Sequence, residues 1–180
     1  INSASSSGIT VVEGGGGADQ SSLTGTSMTG NLQLLGQGSD DVITLNYPIM
    51  AGSVTVDGGT GTGNRLIVNF AANADDDTVT IHPASIEVLA QATAGYSNFA
   101  DLKLSTFGGE DQITIVDIHS GSTTVETGTD NDIVDVRSIS AITTLELGDA
   151  NDTVNVSSNA QAAAGQLTGI SAELVVNAGE

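Results

Sequence analysis

Apolar and polar residues alternate in short runs along most of the chain, and the runs recur. TTVETGTDNDIVDV at residues 123–136 sets Thr123, Val125 and Thr127 on one face, then a turn rich in Gly, Asp and Asn, then Val134 and Val136 on one face. TTLELGDANDTVNV at residues 143–156 repeats the arrangement 20 residues later (143 − 123). Period-two alternation over four to six residues predicts strands, and apolar residues nowhere keep helical spacing long enough to predict a helix. Ala160–Gly165 has room for one helical turn at most.

The repeat gives a frame. Leu102, Leu104 and Thr106 fall beside Thr123, Val125 and Thr127, and beside Thr143, Leu145 and Leu147. The second strands align Ile113 and Ile115 with Val134 and Val136 and with Val154 and Val156. Asp111, Asp132 and Asp152 then share one turn column, and Thr114, Asp135 and Asn155 share an outward one. Looser copies put Asp19, Asp41 and Asn64 in the turn column. A unit of about 20–22 residues is too short for a propeller blade and lacks the leucine-rich pattern. It suits one coil of a parallel β-helix (β-solenoid), in which equivalent strands stack about 4.8 Å apart. The expected fold is therefore all-β, a single solenoid segment over residues 1–180 with longer irregular coils around 70–100 and 157–171. An antiparallel β-sandwich is the competing fold; the constant register of the turn acids favours the solenoid.

Composition sharpens this. Aromatics are 3% and prolines two against 23 glycines, so the core must be a thin one of Val, Ile, Leu and Thr. Three basic residues, Arg65, Lys103 and Arg137, face 22 acidic ones, a net charge of −19 that disfavours nucleic acid and anionic membranes and favours cations. There is no cysteine, hence no disulfide or thiol chemistry. No run approaches the roughly 18 apolar residues of a membrane span.

Stacked repeats stack their acids. Carboxylates about 4.8 Å apart repel by about 3–4 kcal/mol at an effective dielectric near 20, so the column needs solvation, hydrogen bonds to the turn's own amides, or a cation. Gly128-Thr129-Asp130-Asn131-Asp132-Ile133-Val134 follows G-x-x-x-D-x-U, as do residues 148–154, while Gly108-Gly109-Glu110-Asp111 keeps a glycine two before the acid. These turns resemble a degenerate form of the glycine- and aspartate-rich nonapeptide of secreted RTX proteins, in which Ca²⁺ lies between successive turns. They depart from it where Asp130 and Ala150 replace the second glycine and in the length of the unit. The resemblance makes Asp41, Asp111, Asp130, Asp132 and Asp152 candidate calcium ligands, although Asp and Asn also serve such turns as local turn formers.

More widely, the series GGTGTGNRLIVNF, DDDTVTI, AGYSNFADLKLSTFGGEDQITI and the two near-identical units resembles strand-repeat regions of very large bacterial surface and secreted proteins, which occur beside RTX-like and haemagglutinin-like modules. That resemblance implies an extracellular, non-enzymatic spacer, adhesin or fibre. Its partners would be other copies of itself, or the rest of a longer array, together with calcium and cell-surface or glycan ligands. A calcium-binding module that folds on secretion is the alternative.

Catalysis has a thinner basis. Polysaccharide-degrading β-helix enzymes place acids on neighbouring coils with a His and a basic pair. Asp40, Asp41, the run Asp75-Asp76-Asp77 and His119 are present, but no Arg-x-Lys. His82 and His119 are isolated and suit strand ends. Gly14–Gly17 lacks the Lys-Ser/Thr of a phosphate loop. Tyr96 and Phe99 suit local packing better than sugar stacking. Asn151-Asp152-Thr153 and Asn155-Val156-Ser157 match the N-glycosylation sequon. The chain opens at Ile1 without a basic or apolar leader, and neither Ile1-Asn2-Ser3 nor Val175–Glu180 has the look of a solenoid cap, as expected of a fragment or of a protomer that stacks head to tail.

Overall fold

A computed structural model describes residues 8–27, 30–50, 52–71, 75–159 and 165–179. The described residues form strands and no helix; the one-turn helix considered for Ala160–Gly165 and the termini at Ile1–Ser3 and Glu180 lie outside them, apart from Gly165 itself. The strands make two largely parallel sheets, of nine and seven members. The chain divides into two compact units, Ile1–Ala71 with Ala84–Lys103, and Ala72–Pro83 with Leu104–Glu180.

The first unit opens with β1 (Ile9–Gly15), β2 (Gln20–Ser27), β3 (Asn31–Gln37), β4 (Val42–Met50), β5 (Ser53–Asp57) and β6 (Arg65–Asn69). Odd and even strands enter different sheets, so each strand pairs with the next but one: β1 with β3 with β5, and β2 with β4 with β6, all parallel. The register repeats like on like. Leu32 stands beside Val54 and Leu34 beside Val56 in one sheet, Ile43 beside Leu66 and Leu45 beside Val68 in the other. These eight are buried, and each fully buried aliphatic side chain stabilises the fold by about 2 kcal/mol.

The second unit contains β7 (Thr78–His82); β8 (Ser85–Val88) and β9 (Ala94–Ser97) belong to the first. After β10 (Asp101–Ser105) come β11 (Gln112–Ile115), β12 (Ser122–Glu126), β13 (Ile133–Val136), β14 (Thr143–Glu146), β15 (Thr153–Val156) and β16 (Leu174–Asn177). Here β7, β11, β13 and β15 pair in parallel in one sheet, β12, β14 and β16 in the other. The predicted registers hold: Ile113 meets Val134 and then Val154, Ile115 meets Val136 and then Val156, and Val125 meets Leu145. The antiparallel alternative for these strands is thereby excluded.

The departures from regularity fall where the sequence diverges. Over residues 84–97 the chain makes an antiparallel pair, Ser85 opposite Gly95 and Ile86 opposite Ala94, before β9 rejoins β5 in parallel with Tyr96 beside Val56. Tyr96 and Phe99 are buried, and Tyr47 stacks on Phe70 at 5.1 Å while its hydroxyl donates to Ala92 O. The column read as outward is not wholly so: Asp135, between Thr114 and Asn155, is buried and accepts from the Asn155 amide at 2.9 Å.

Because β12 and β14 are displaced by one repeat, as are β13 and β15, excising residues 123–142 should rejoin the chain in register. That variant is expected to keep a cooperative thermal transition and its strand circular dichroism, whereas excising residues 123–132 should abolish the transition.

Candidate functional site

The turns hold the chemistry, and in each the same two residues do most of the bonding. In the second unit the backbone N–H of Asp77 donates to Asp111 Oδ1 at 2.8 Å, Asp111 N–H to Asp132 Oδ1 at 2.8 Å, and Asp132 N–H to Asp152 Oδ1 at 3.0 Å. The turn acids thus form a rail in which every carboxyl takes the amide of its counterpart one repeat earlier. Asp111 and Asp132 are 1% exposed.

A second rail, which the sequence reading missed, runs beside it with the opposite sense. The residue just before each inner acid accepts from the following repeat: Asp76 Oδ1 from Glu110 N–H at 2.9 Å, and Asn131 Oδ1 from Asn151 N–H at 3.0 Å. Its signal in the sequence is the acid or amide that precedes the column in Asp76-Asp77, Glu110-Asp111, Asn131-Asp132 and Asn151-Asp152.

The first unit has rails of its own. Asp19 N–H donates to Asp41 Oδ1 and Asp41 N–H to Asn64 Oδ1, both at 2.8 Å, while Asp40 Oδ1 accepts from Gly63 N–H at 2.8 Å. Each unit thus has its own run of rail turns. In the first unit the rail turns lead from β1, β3 and β5 into β2, β4 and β6; in the second they lead from β12 and β14, of the seven-stranded sheet, into β13 and β15 of the nine-stranded one. The phase changes around β6, which follows the Asn64 turn and precedes the Asp77 turn, so the irregular stretch after residue 70 breaks the frame.

Asn64 closes the first rail for a chemical reason. Its Oδ1 accepts like a carboxylate, but its Nδ2 donates to Gly61 O at 3.1 Å and Asn98 O at 3.0 Å. Where the rail residue is Asp, the second oxygen has no such outlet: Oδ2 of Asp19, Asp41, Asp111 and Asp132 is buried without a hydrogen-bond donor.

The residue facing that oxygen differs between the units. Gly14 and Gly36 stand there in the first, where a side chain would run into the Asp19 and Asp41 carboxyls. In the second, the hydroxyls of Thr106 and Thr127 lie against Asp111 and Asp132. Each hydroxyl sends its one proton onward, Thr106 Oγ1 to Thr127 O at 3.0 Å and Thr127 Oγ1 to Leu147 O at 2.6 Å. Burial pushes Asp111 up to about 6 against the Asp77 N–H, with Asp132 and Asp76 pushing the same way as burial; the Thr106 hydroxyl would lower it only by turning its proton from Thr127 O to the carboxylate. Asp77 is likewise raised to about 6 by burial and by Asp111, Asp75 and Asp76, and Asp132 is raised, burial again leading.

Two positive-φ positions precede each of Asp111, Asp132 and Asp152. Four residues before it stand Phe107 (φ 73°), Gly128 (φ 105°) and Gly148 (φ 80°); two before it stand Gly109 (φ 106°), Asp130 (φ 78°) and Ala150 (φ 95°). The backbone of a Gly-x-Gly turn thus survives where Asp130, Ala150 and Phe107 replace glycine. Glycine is required sterically at 128, where an added Cβ would overlap the carbonyl oxygen of Phe107.

The five candidate calcium ligands are therefore placed as follows. Asp41, Asp111, Asp132 and Asp152 each commit Oδ1 to a backbone N–H, and Asp130 is exposed with Oδ2 at 3.4 Å from Gly109 N. Calcium takes six to eight oxygens at about 2.4 Å. The rail offers one free carboxyl oxygen per repeat rather than a convergent shell, and no group of three or more metal-ligating side chains occurs among the described residues. The inner carboxyls do not fit that ion. Of the remaining candidates, Asp40 and Asp41 are each tied to a separate rail, and the Asn155 amide of one sequon is engaged by Asp135. Glu126 and Glu146, adjacent in register, form a further acidic pair, relieved by Ser105 Oγ at 2.9 Å and Asn177 Nδ2 at 2.8 Å.

Compared with protein-family models, curated proteins and solved structures, the chain matches none.

Two substitutions test the turns by urea denaturation. Gly128→Ala should lower the unfolding free energy by more than about 2 kcal/mol, and Ala150→Gly should raise it by about 1 kcal/mol. Asn64→Asp, which sets a carboxylate against the carbonyls of Gly61 and Asn98, should cost about 2 kcal/mol at neutral pH.

Proposed function

We propose that this chain is a parallel β-solenoid segment of a bacterial extracellular surface, spacer or fibre protein, and that its role is structural. The observation that carries this reading is the like-on-like parallel register, Ile113 on Val134 on Val154 and Thr123 on Thr143, combined with turns whose acids are spent on bonding one repeat to the next. Such a chain extends by adding repeats, from the same polypeptide or from another copy meeting the free edges of β15 and β16. The net charge of −19 keeps such surfaces hydrated and mutually repelling, and cell-surface or glycan ligands would be met by exposed polar positions such as Asn151.

An enzyme of the β-helix type is disfavoured by the same bonds, since Asp40 and Asp41, the acids nearest a catalytic pair, serve neighbouring backbones. Antibody raised against the chain should label intact producing cells or their secreted fibres; labelling only after lysis would overturn the extracellular reading. Circular dichroism should be unchanged by a calcium chelator, and a loss of strand signal would turn the conclusion toward a calcium-folded module. Cleavage of any member of a polysaccharide panel, lost on Asp40→Asn, would replace the structural role with catalysis.

A further inference from the structure

We infer that Asp111 and Asp132 act as proton-bearing links of the second unit, each accepting an N–H through Oδ1 and donating from a protonated Oδ2 to the threonine hydroxyl beside it, so that mild acid tightens the turns. The geometry leaves Oδ2 few alternatives. It is buried and meets no donor, and the adjacent Thr106 or Thr127 has already given its only hydroxyl proton to a carbonyl of the next repeat. An ionised carboxylate would hold a bare oxygen against the lone pairs of the threonine oxygen. A carboxylic acid puts a hydrogen between them and completes a chain from Asp111 through Thr106 to Thr127 O, and from Asp132 through Thr127 to Leu147 O.

The first unit supplies an independent parallel. Asn64, in the same place on its rail, is a neutral group that accepts with one atom and donates with the other, and both its functions are satisfied. A protonated Asp has that same division of labour.

The charged neighbours reinforce it. Asp111 is faced by Asp76 and Asp77 from one side and Asp132 from the other, and Asp132 by Asp130 and Asp152; no Lys, Arg or His is among the groups acting on either. Burial and these acids together raise Asp111 to about 6 and raise Asp132 as well. With the folded value above the unfolded one, the native chain keeps protons that the unfolded chain has lost. The added stability is complete below the ordinary carboxylate pKa near 4 and disappears as pH rises through about 6. Within that window each such group changes the unfolding constant by up to about tenfold per pH unit.

The test combines a carboxyl ¹³C titration of the wild-type chain with urea midpoints between pH 5 and pH 8 for three proteins. These are the wild type, the double variant Asp111→Asn with Asp132→Asn, and a charge-matched control, Asp149→Asn with Glu173→Gln, both sites exposed. The expected result is three carboxyls, Asp77, Asp111 and Asp132, titrating above the exposed aspartates, and a wild-type midpoint that falls as pH rises. The double variant should match or exceed the wild type at pH 8 and be flatter with pH, and the control should keep the wild-type slope. Two results overturn the inference: a slope as steep in the double variant as in the wild type, or reduced equally in the control, or Asp111 and Asp132 carboxyls that titrate with the exposed ones. So does a rise in the wild-type midpoint with millimolar calcium at pH 8 that the double variant lacks, since it makes Oδ2 a cation ligand. Should the double variant fail to fold, the wild-type titration decides alone.

Discussion

Each tight turn leaves a backbone N–H that no strand can satisfy, and the molecule depends on how that donor is met. A buried amide without an acceptor costs about 1–3 kcal/mol, and one recurs at every repeat. The inner rail answers with a carboxyl from the next repeat, as in Asp111 N–H to Asp132 Oδ1, so the donor's requirement and the acid's repulsion from its neighbours are relieved by one bond. This explains why so acidic a chain places its acids where they stack. It also explains the residue before each acid: the second rail, running from Asn151 N–H back to Asn131 Oδ1, satisfies another turn amide from the opposite direction.

Much of the fold was legible in the sequence because the repeat was. Period-two alternation fixed the faces of β11 to β15, and aligning the two near-identical units predicted the register at Val125, Leu145, Val134 and Val154 without a contact being known. What escaped detection had physical reasons. A strand pattern does not say which sheet a strand joins, so the sheet into which each rail turn leads could not be read from Asp19, Asp41 and Asn64 alone. Nor does alternation reveal burial on the outer face, as at Asp135.

The candidate site was half legible. The stacking of the column residues could be read from the repeat, and bonding to the turn's own amides stood among the expected remedies for their repulsion, whereas the donor is the amide of the neighbouring repeat. The resemblance to calcium-binding nonapeptides drew attention to the acids as ligands, whereas three of the five are sealed inside the turns at 1% exposure with an oxygen already engaged. The discriminating signal lay five residues upstream of the acids, in Thr106 and Thr127 of the second unit where the first has Gly14 and Gly36 at the equivalent positions.

The paired rails have a further consequence. Parallel strands of Val, Ile and Thr are nearly indifferent to sliding by two residues, since such a slip restores every side chain to its own face and costs little packing. A bond such as Asp132 N–H to Asp152 Oδ1 exists at only one offset. One polar contact per layer therefore works as a detent, indexing otherwise interchangeable strands.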